Sequence, residues 1–94
     1  MKLSKSSVIK VSKEAVHCDV EDEVVILGMK DGVYYGLNPV GAFIWSKIQE
    51  PKKVEEIRDL ILKEFEVSSE ECEADLIDLL YDLLENNLIE ISDE

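Results

Sequence analysis

Residues Gly32–Trp45 read Gly-Val-Tyr-Tyr-Gly-Leu-Asn-Pro-Val-Gly-Ala-Phe-Ile-Trp. Within them, Val33–Leu37 is rich in β-branched and aromatic residues, which favours a short strand. Asn38 suits the N-cap of a helix, and Pro39 suits the first helical turn, where its missing N–H leaves nothing unpaired. The apolar residues behind this cap predict a helix over Pro39–Ile48. A strand therefore runs directly into a helix, which holds the strand beside a helical layer.

The chain before this joint is predicted to form strands. They cover Val8–Val11, Ala15–Val20 and Glu23–Met29. The last of the three is apolar at nearly every position, which indicates a central strand covered on both faces. Asp31 and Gly32 predict a two-residue type I′ hairpin loop, because such a turn needs the positive φ that glycine adopts at little cost. This loop would place Gly28 opposite Tyr35 in the next strand.

The chain after the joint is predicted to be helical. Two more helices are expected over Val54–Glu64 and Ser69–Asn86, and Ser68 and Glu71 predict a capping box at the start of the latter. The apolar residues of this third helix spread over roughly half of its circumference. A surface helix needs a stripe only somewhat wider than about 100°. Either the helix is nearly buried, or one margin of its apolar surface lines a groove. Leu88–Ile91 follows as an apolar tail.

Length and charge limit the class of protein. Ninety-four residues suffice for a single domain, residues 1–94, of which residues 1–7 are expected to be flexible. Twenty-two acidic residues against ten basic ones give a formal net charge of −12. Such a surface repels phosphate backbones and anionic membranes, so we expect no nucleic-acid and no membrane partner. No apolar run reaches the roughly 18–20 residues of a membrane span, and the amino terminus does not read as a signal peptide, so we expect a cytoplasmic protein.

Side chains suited to catalysis or metal binding are scarce. His17 is the single histidine, so neither a histidine-dependent triad nor a two-histidine metal site can be built. Cys18 and Cys72 lie far apart in the sequence and are expected to be free thiols. We therefore predict a protein that is not an enzyme and that uses no cofactor and no metal. Trp45 is expected in the core, and His17 is expected to be a surface or packing residue.

The binding hypothesis starts from the strand before the joint. As the last strand of a meander, Val33–Leu37 is expected at a sheet edge, where unpaired N–H and C=O groups can pair with an added peptide strand. The residues expected to bind the peptide there are Val33, Tyr34, Tyr35, Gly36 and Leu37. Leucines of the third helix would form an apolar floor, although some of them must serve the internal core: Leu76, Leu79, Leu80 and Leu83. An acidic row beside them would favour basic residues in the peptide and comprises Asp75, Asp78, Asp82 and Glu85.

The joint also carries a family resemblance. Residues 34–45 resemble the Leu-Asn-x-x-Gly-x-x-x-Trp pattern of PqqD-like proteins. The order of the other elements agrees, with strands first, a Val-Glu-Glu-Ile helix at 54–57 and a last helix that ends in Leu-x-x-x-Leu-Ile. The similarity covers about Val8–Ile91. Gly36 departs from the family, which often has a polar or basic residue there, so a contact from that side chain is absent here.

This resemblance implies a stand-alone recognition element for ribosomally synthesised, post-translationally modified peptides (RiPPs). The chain is most similar to the leader-peptide-binding proteins of lasso-peptide biosynthesis. The resemblance implies a winged-helix-like α+β fold, with a three-stranded antiparallel sheet followed by three helices. It also implies that the leader peptide of a precursor adds to strand 33–37 and packs against helix 69–86. The implied partner enzyme is a transglutaminase-like cysteine protease that removes the leader, or another RiPP-modifying enzyme.

Two alternatives stay open at this stage. A PqqD-type peptide chaperone would bind a peptide in the same way but would serve a radical-SAM enzyme. A winged-helix DNA-binding regulator would share the fold. Its recognition helix would need Lys or Arg to contact DNA, however, and the third helix has neither between Ser69 and Asn87.

Overall fold

The computed structural model describes residues 3–21, 23–29 and 32–92, so Asp31 of the predicted hairpin loop lies outside the described residues. The strands are β1 (Val8–Val11), β2 (Ala15–Val20), β3 (Glu23–Gly28), β4 (Val33–Leu37), β5 (Lys52–Lys53) and β6 (Ile89–Ser92). The helices are α1 (Pro39–Lys47), α2 (Val54–Glu64) and α3 (Ser69–Glu85). The predicted α+β, winged-helix-like fold is confirmed, and each helix ends within one residue of its predicted end.

Strands β2, β3 and β4 form an antiparallel meander in that order. Strand β3 is central, as its apolar sequence predicts. Strand β4 is at the edge, and no other strand of the described chain pairs with its far side. One face of this meander packs on the helices, since Ile26 and Leu37 are 0% and 5% exposed.

The hairpin between β3 and β4 differs from the prediction. Its loop has four residues, 29–32, rather than two, so the partner of Tyr35 is Ile26 and not Gly28. Gly32 has a φ of 68° and donates its N–H to the carbonyl of Gly28 at 2.7 Å. The left-handed glycine is therefore present, but it closes a wider turn. Because the register moves by two residues, every side chain keeps its predicted face.

A second sheet, which the sequence analysis missed, places β1 between β5 and β6. The predicted apolar tail Leu88–Ile91 lies mostly in β6, which pairs antiparallel with β1. A Schellman-type turn leads from α3 into this strand. Asn87 has a φ of 60°, and its N–H bonds to the carbonyl of Leu84 at 3.0 Å. The N–H of Leu88 bonds to the carbonyl of Leu83 at 2.9 Å.

One buried cluster joins both sheets to the three helices. Its members with 0% exposure are Ile9, Ile26, Ile48, Ile57, Leu80 and Leu83. Trp45 is 2% exposed, which confirms it as a core residue. His17 is exposed and packs edge-to-face on Trp45, with 6.1 Å between the ring centroids. Its predicted role as a surface or packing residue is thereby confirmed.

The segment before β1 packs against the helices. Leu3 is buried, and its N–H donates to the hydroxyl of Tyr81 at 3.1 Å. The carbonyl of Ser7 accepts the N–H of Val54 at 3.0 Å, and the Ser7 side chain is buried. These contacts join the segment 3–7 to the helices, and residues 1 and 2 lie outside the described part of the chain. The flexibility expected for residues 1–7 stays a prediction.

A side-chain cap holds the joint between β4 and α1. The Oδ1 of Asn38 accepts a hydrogen bond from the N–H of Gly41 at 2.7 Å, as expected for an N-cap. A Cβ at Gly41 would lie 3.2 Å from that oxygen and 3.2 Å from the Cδ2 of Leu37. Glycine thus lets the first turn of α1 start close to the strand. The end of β4 is anchored to the helical layer.

Candidate functional site

The free edge of β4 presents backbone groups to solvent. The N–H of Met29, the residue after β3, donates to the carbonyl of Glu14 at 2.7 Å. Every second residue of β3, counted back from Met29, therefore also directs its backbone N–H and C=O groups to β2. The backbone N–H and C=O groups of the remaining β3 residues point to β4, because these groups alternate in direction along an antiparallel strand. Their hydrogen-bonding partners in β4 are Val33, Tyr35 and Leu37. Tyr34 and Gly36 therefore direct N–H and C=O groups away from the sheet.

A groove of about 390 Å³ lies between β4 and α1 on one side and α3 on the other, and we name it the β4–α3 groove. Residues from β4, all three helices and the loop between α2 and α3 line it: Tyr35, Asn38, Val40, Gly41, Ile44, Ile61, Val67, Cys72, Asp75, Leu76, Asp78, Leu79 and Asp82. Its volume falls in the range of about 300–1,000 Å³ that is typical of ligand pockets. Since alternate side chains of a strand point to one face, every second side chain of a strand added to β4 would face this groove.

The α3 side of the groove carries an acidic rim, which we define as Asp75, Asp78 and Asp82. All three are exposed, and their spacing of three and four residues places them on one face of the helix. Glu85, predicted in the same row, does not line the groove. The groove lining contains no Lys or Arg. The rim therefore gives the groove a negative potential that attracts cationic groups.

Tyr35 reaches across the groove to the acidic rim. Its hydroxyl donates a long hydrogen bond of 3.4 Å to Oδ2 of Asp82. Burial raises the pKa of Tyr35 above its ordinary value of 10.0, and the charge of Asp82 and this hydrogen bond raise it further. The phenol is consequently neutral and acts as a donor on the floor of the groove.

The leucines of α3 divide between the groove and the core. Leu76 and Leu79 line the groove, Leu79 being half-buried and Leu76 only 1% exposed. Leu80 and Leu83 are 0% exposed and are absent from the groove lining. Of the four leucines, Leu80 and Leu83 are therefore the ones that the structure places in the core rather than in the groove. Their side chains fall on the face of α3 that packs into the protein interior.

Several lining residues were missed by sequence reasoning. Val40 and Ile44 come from α1, Ile61 from α2 and Val67 from the loop before α3. Their apolar spacing predicts helix faces but not which part of each face is left open. Which part of each helix face stays open depends on how the three helices approach β4, and no local sequence signal encodes that arrangement.

The described residues offer little catalytic chemistry. They contain no group of three or more His, Cys, Asp or Glu side chains placed to hold a metal ion. Both cysteines are free thiols, as predicted. Burial raises the pKa of the Cys72 thiol, which disfavours the nucleophilic thiolate. No helix within the described ranges is long and apolar enough to cross a membrane.

An edge strand with open amides beside an apolar groove defines a peptide-binding class of site. The family model for coenzyme PQQ synthesis protein D (PqqD) matches residues 23–89, which is more than half of the chain. The chain belongs to the PqqD family, which confirms the resemblance seen in the sequence. Comparison with curated proteins gives no match.

Two solved structures are similar to this chain. The structure of TbiB1 in complex with the TbiA(β) leader peptide is 42% identical with a TM-score of 0.80, over 86% of this chain and 94% of that one. A lasso peptide synthetase B1 complexed with the leader peptide is 22% identical with a TM-score of 0.77, over 87% of this chain and 96% of that one. The second likeness, at this low identity, shows the fold alone.

The division of the leucines predicts different effects of two alanine substitutions. Leu80→Ala should lower the free energy of unfolding by about 2–5 kcal/mol, because it empties a fully buried site. Leu79→Ala should lower it much less, because Leu79 already contacts solvent at the groove. Urea unfolding followed by circular dichroism measures both values. Equal losses of stability would show that Leu79 is a core residue and not part of the groove wall.

Proposed function

We propose that this protein is a non-catalytic adaptor that binds the leader segment of a precursor peptide and delivers it to an enzyme. The leader adds as a strand to the free edge of β4, and alternate side chains enter the β4–α3 groove. The observation that carries the proposal is the pair of outward-facing residues, Tyr34 and Gly36, beside that groove. The leader complex of TbiB1, 42% identical to this chain, supports it.

Backbone pairing alone is too weak for useful affinity. Tyr34 and Gly36 each offer one N–H and one C=O, which allows four hydrogen bonds to an added strand. At about 0.5–1.5 kcal/mol net for each bond, they contribute roughly 2–6 kcal/mol. Micromolar affinity needs about 8 kcal/mol after the entropic cost of association has been met. Burial of side chains must supply the difference.

The groove is suited to supply that burial. Its apolar walls come from α1 and α3, including Val40, Ile44 and Leu79. Burying a side chain the size of Val or Leu contributes about 1.5–3 kcal/mol. Two such side chains add about 3–6 kcal/mol, so the sum with the backbone bonds is roughly 5–12 kcal/mol. Because association itself costs about 4–15 kcal/mol, contacts along more of the peptide are needed for micromolar affinity. The bound segment is therefore extended, with apolar residues at alternate positions.

The acidic rim adds a preference for charge. Asp75, Asp78 and Asp82 lie along one side of the groove, and no cationic side chain of the lining balances them. A basic residue in the leader would meet this rim and would be attracted before contact. The rim thus increases the rate of encounter more than the final affinity.

The enzyme that receives the bound peptide is, in this proposal, a transglutaminase-like cysteine protease of a lasso-peptide pathway. The resemblance of residues 34–45 to the leader-peptide-binding proteins of lasso-peptide pathways favours this branch. A PqqD-type chaperone for a radical-SAM enzyme would use the same edge strand and stays the alternative within the family. A DNA-binding role is disfavoured, because α3 carries acidic side chains and no Lys or Arg.

Gly36→Pro tests strand addition. Proline removes the outward N–H of residue 36 without breaking a bond inside the sheet, and edge strands tolerate it. We expect affinity for the leader of the precursor encoded beside this gene to fall about 5–30-fold, equivalent to about 1–2 kcal/mol. Titration calorimetry measures the affinity, and circular dichroism checks the fold.

Asp19→Pro is the matched control for this substitution. Asp19 lies on β2, the opposite edge of the meander, and its N–H also points away from the neighbouring strand. It should fold and should bind the leader as the wild type does. If Gly36→Pro binds as tightly as Asp19→Pro, the peptide does not pair with β4.

The acidic rim predicts a kinetic effect. Replacing Asp75, Asp78 and Asp82 by Asn should slow association with a basic leader several-fold at low salt and should flatten its dependence on ionic strength. Stopped-flow fluorescence with a labelled leader measures the rate. The control replaces three exposed acids outside the groove lining, Glu50, Glu64 and Glu90, by Gln, which removes the same net charge. Equal slowing in both triple variants would assign the effect to net charge and not to the rim.

A further inference from the structure

The meander has a second open edge, at β2. The N–H of Met29 bonds to the carbonyl of Glu14, so every second residue of β2, counted from Glu14, bonds to β3. Ala15, His17 and Asp19 lie between those residues and direct their N–H and C=O groups away from the sheet. No other strand of the described chain pairs with that side. Three open residues allow six hydrogen bonds to an added strand, against four at β4, so backbone pairing alone would favour β2.

Side chains must therefore distinguish the two edges. We name the face of the meander that packs on the helices the inner face, and cross-strand pairing arranges its residues in three rows. The rows are Ala15–Gly28–Val33, His17–Ile26–Tyr35 and Asp19–Val24–Leu37. Asp19 carries the only carboxylate of these rows and of β2, and it is exposed. A charge that points to the inner side of an edge strand is one way in which proteins keep a sheet edge unpaired.

The strand that β2 is best built to pair with is β2 of a second copy of this chain. The open residues are evenly spaced about His17, so two β2 strands can pair antiparallel about a two-fold axis at His17 and make all six hydrogen bonds. In that pairing, Asp19 lies opposite Ala15 of the other copy. Its row would continue from Val24 through Asp19 into an apolar row of the second chain. The carboxylate would then stand between apolar groups, with no cation opposite.

That position is unfavourable for a carboxylate. A charge that loses water and gains no partner destabilises an interface much more than a lost hydrogen bond does. The formal net charge of −12 also opposes association, but charges more than about 8 Å apart are largely screened at physiological ionic strength. The placement of Asp19 therefore matters more for pairing at this edge than the total charge does.

We propose that Asp19 keeps the β2 edge unpaired and thereby leaves β4 as the one edge of the meander to which a strand adds. Without this carboxylate, two copies join through β2 into a six-stranded sheet. Strand β4 has no charged residue, and its acidic rim lies across the β4–α3 groove rather than in the strand, which leaves room for a peptide. Asp19 is thus a specificity-determining residue, although it contacts no ligand.

Asp19→Val tests the inference. Valine completes the apolar row and suits a strand, so the variant should dimerise. Its dimer should have a dissociation constant at least about tenfold lower than that of the control in sedimentation equilibrium at physiological salt. The matched control is Glu23→Val, which removes the same charge from an exposed position on the central strand β3 and should sediment as the wild type does. Asp19→Thr serves as a second variant if Asp19→Val fails to fold.

His17→Pro identifies the surface that forms the dimer. Added to Asp19→Val, it removes the N–H at the two-fold axis and should restore the monomer. Folded Asp19 variants that stay monomeric would overturn the inference, and so would a dimer that persists after His17→Pro. Equal dimerisation of Glu23→Val would overturn it as well, because net charge alone would then be responsible. A wild-type dimer that His17→Pro dissociates would show that Asp19 does not block the edge.

These measurements need no leader peptide, so the inference and the proposed function fail separately. In calorimetry, the Asp19→Val dimer should bind one leader per chain, because its β4 edges remain free. Two leaders per chain would show that β2 takes a peptide and not a second copy, which would overturn the inference while supporting strand addition.

Discussion

Strand β4 is bonded on one side to β3 and is tied at its end to α1 by the cap at Asn38. The hydrogen bond from the N–H of Gly41 to Oδ1 of Asn38, at 2.7 Å, fixes where the strand stops and the helix begins. This anchorage keeps a five-residue edge beside the helical layer while the backbone groups of Tyr34 and Gly36 stay open. The β4–α3 groove and its acidic rim both lie beside that edge.

The two faces of the meander differ in what covers them. The inner face packs Ile26 and Leu37 against the helices, and Tyr35 at its margin reaches the groove. The opposite face, which points away from the helices, carries Val16 and Tyr34, which are 50% and 72% exposed. A peptide added at the edge would belong to both faces, because its side chains alternate.

Local rules predicted the β4–α1 joint well. The cap at Asn38 and the start of α3 after Ser68 each depend on residues within one turn, so the sequence displays them directly. Strand β6 was missed because its partner is β1, at the opposite end of the chain. The hairpin register was wrong by two residues, since an Asp-Gly pair is compatible with more than one loop length.

The sequence predicted the candidate site about as completely as it predicted the fold. The edge position of β4 followed from the order of the strands, and the acidic spacing on α3 followed from helical periodicity. Periodicity could not separate Leu79 from Leu80, which lie 100° apart on the same broad apolar surface. The burial of Leu80 depends on how α3 packs against the rest of the fold, and so does the contribution of Ile44 and Ile61 to the groove.

Amide hydrogen exchange, followed by NMR on isotope-labelled protein with and without the leader peptide, tests the central claim most directly. Strand addition predicts that the amides of Tyr34 and Gly36 exchange rapidly in the free protein and become protected in the complex. The amides of Val33 and Tyr35, already bonded to β3, should change much less. Protection confined to α3, with Tyr34 and Gly36 still exchanging freely, would contradict the account.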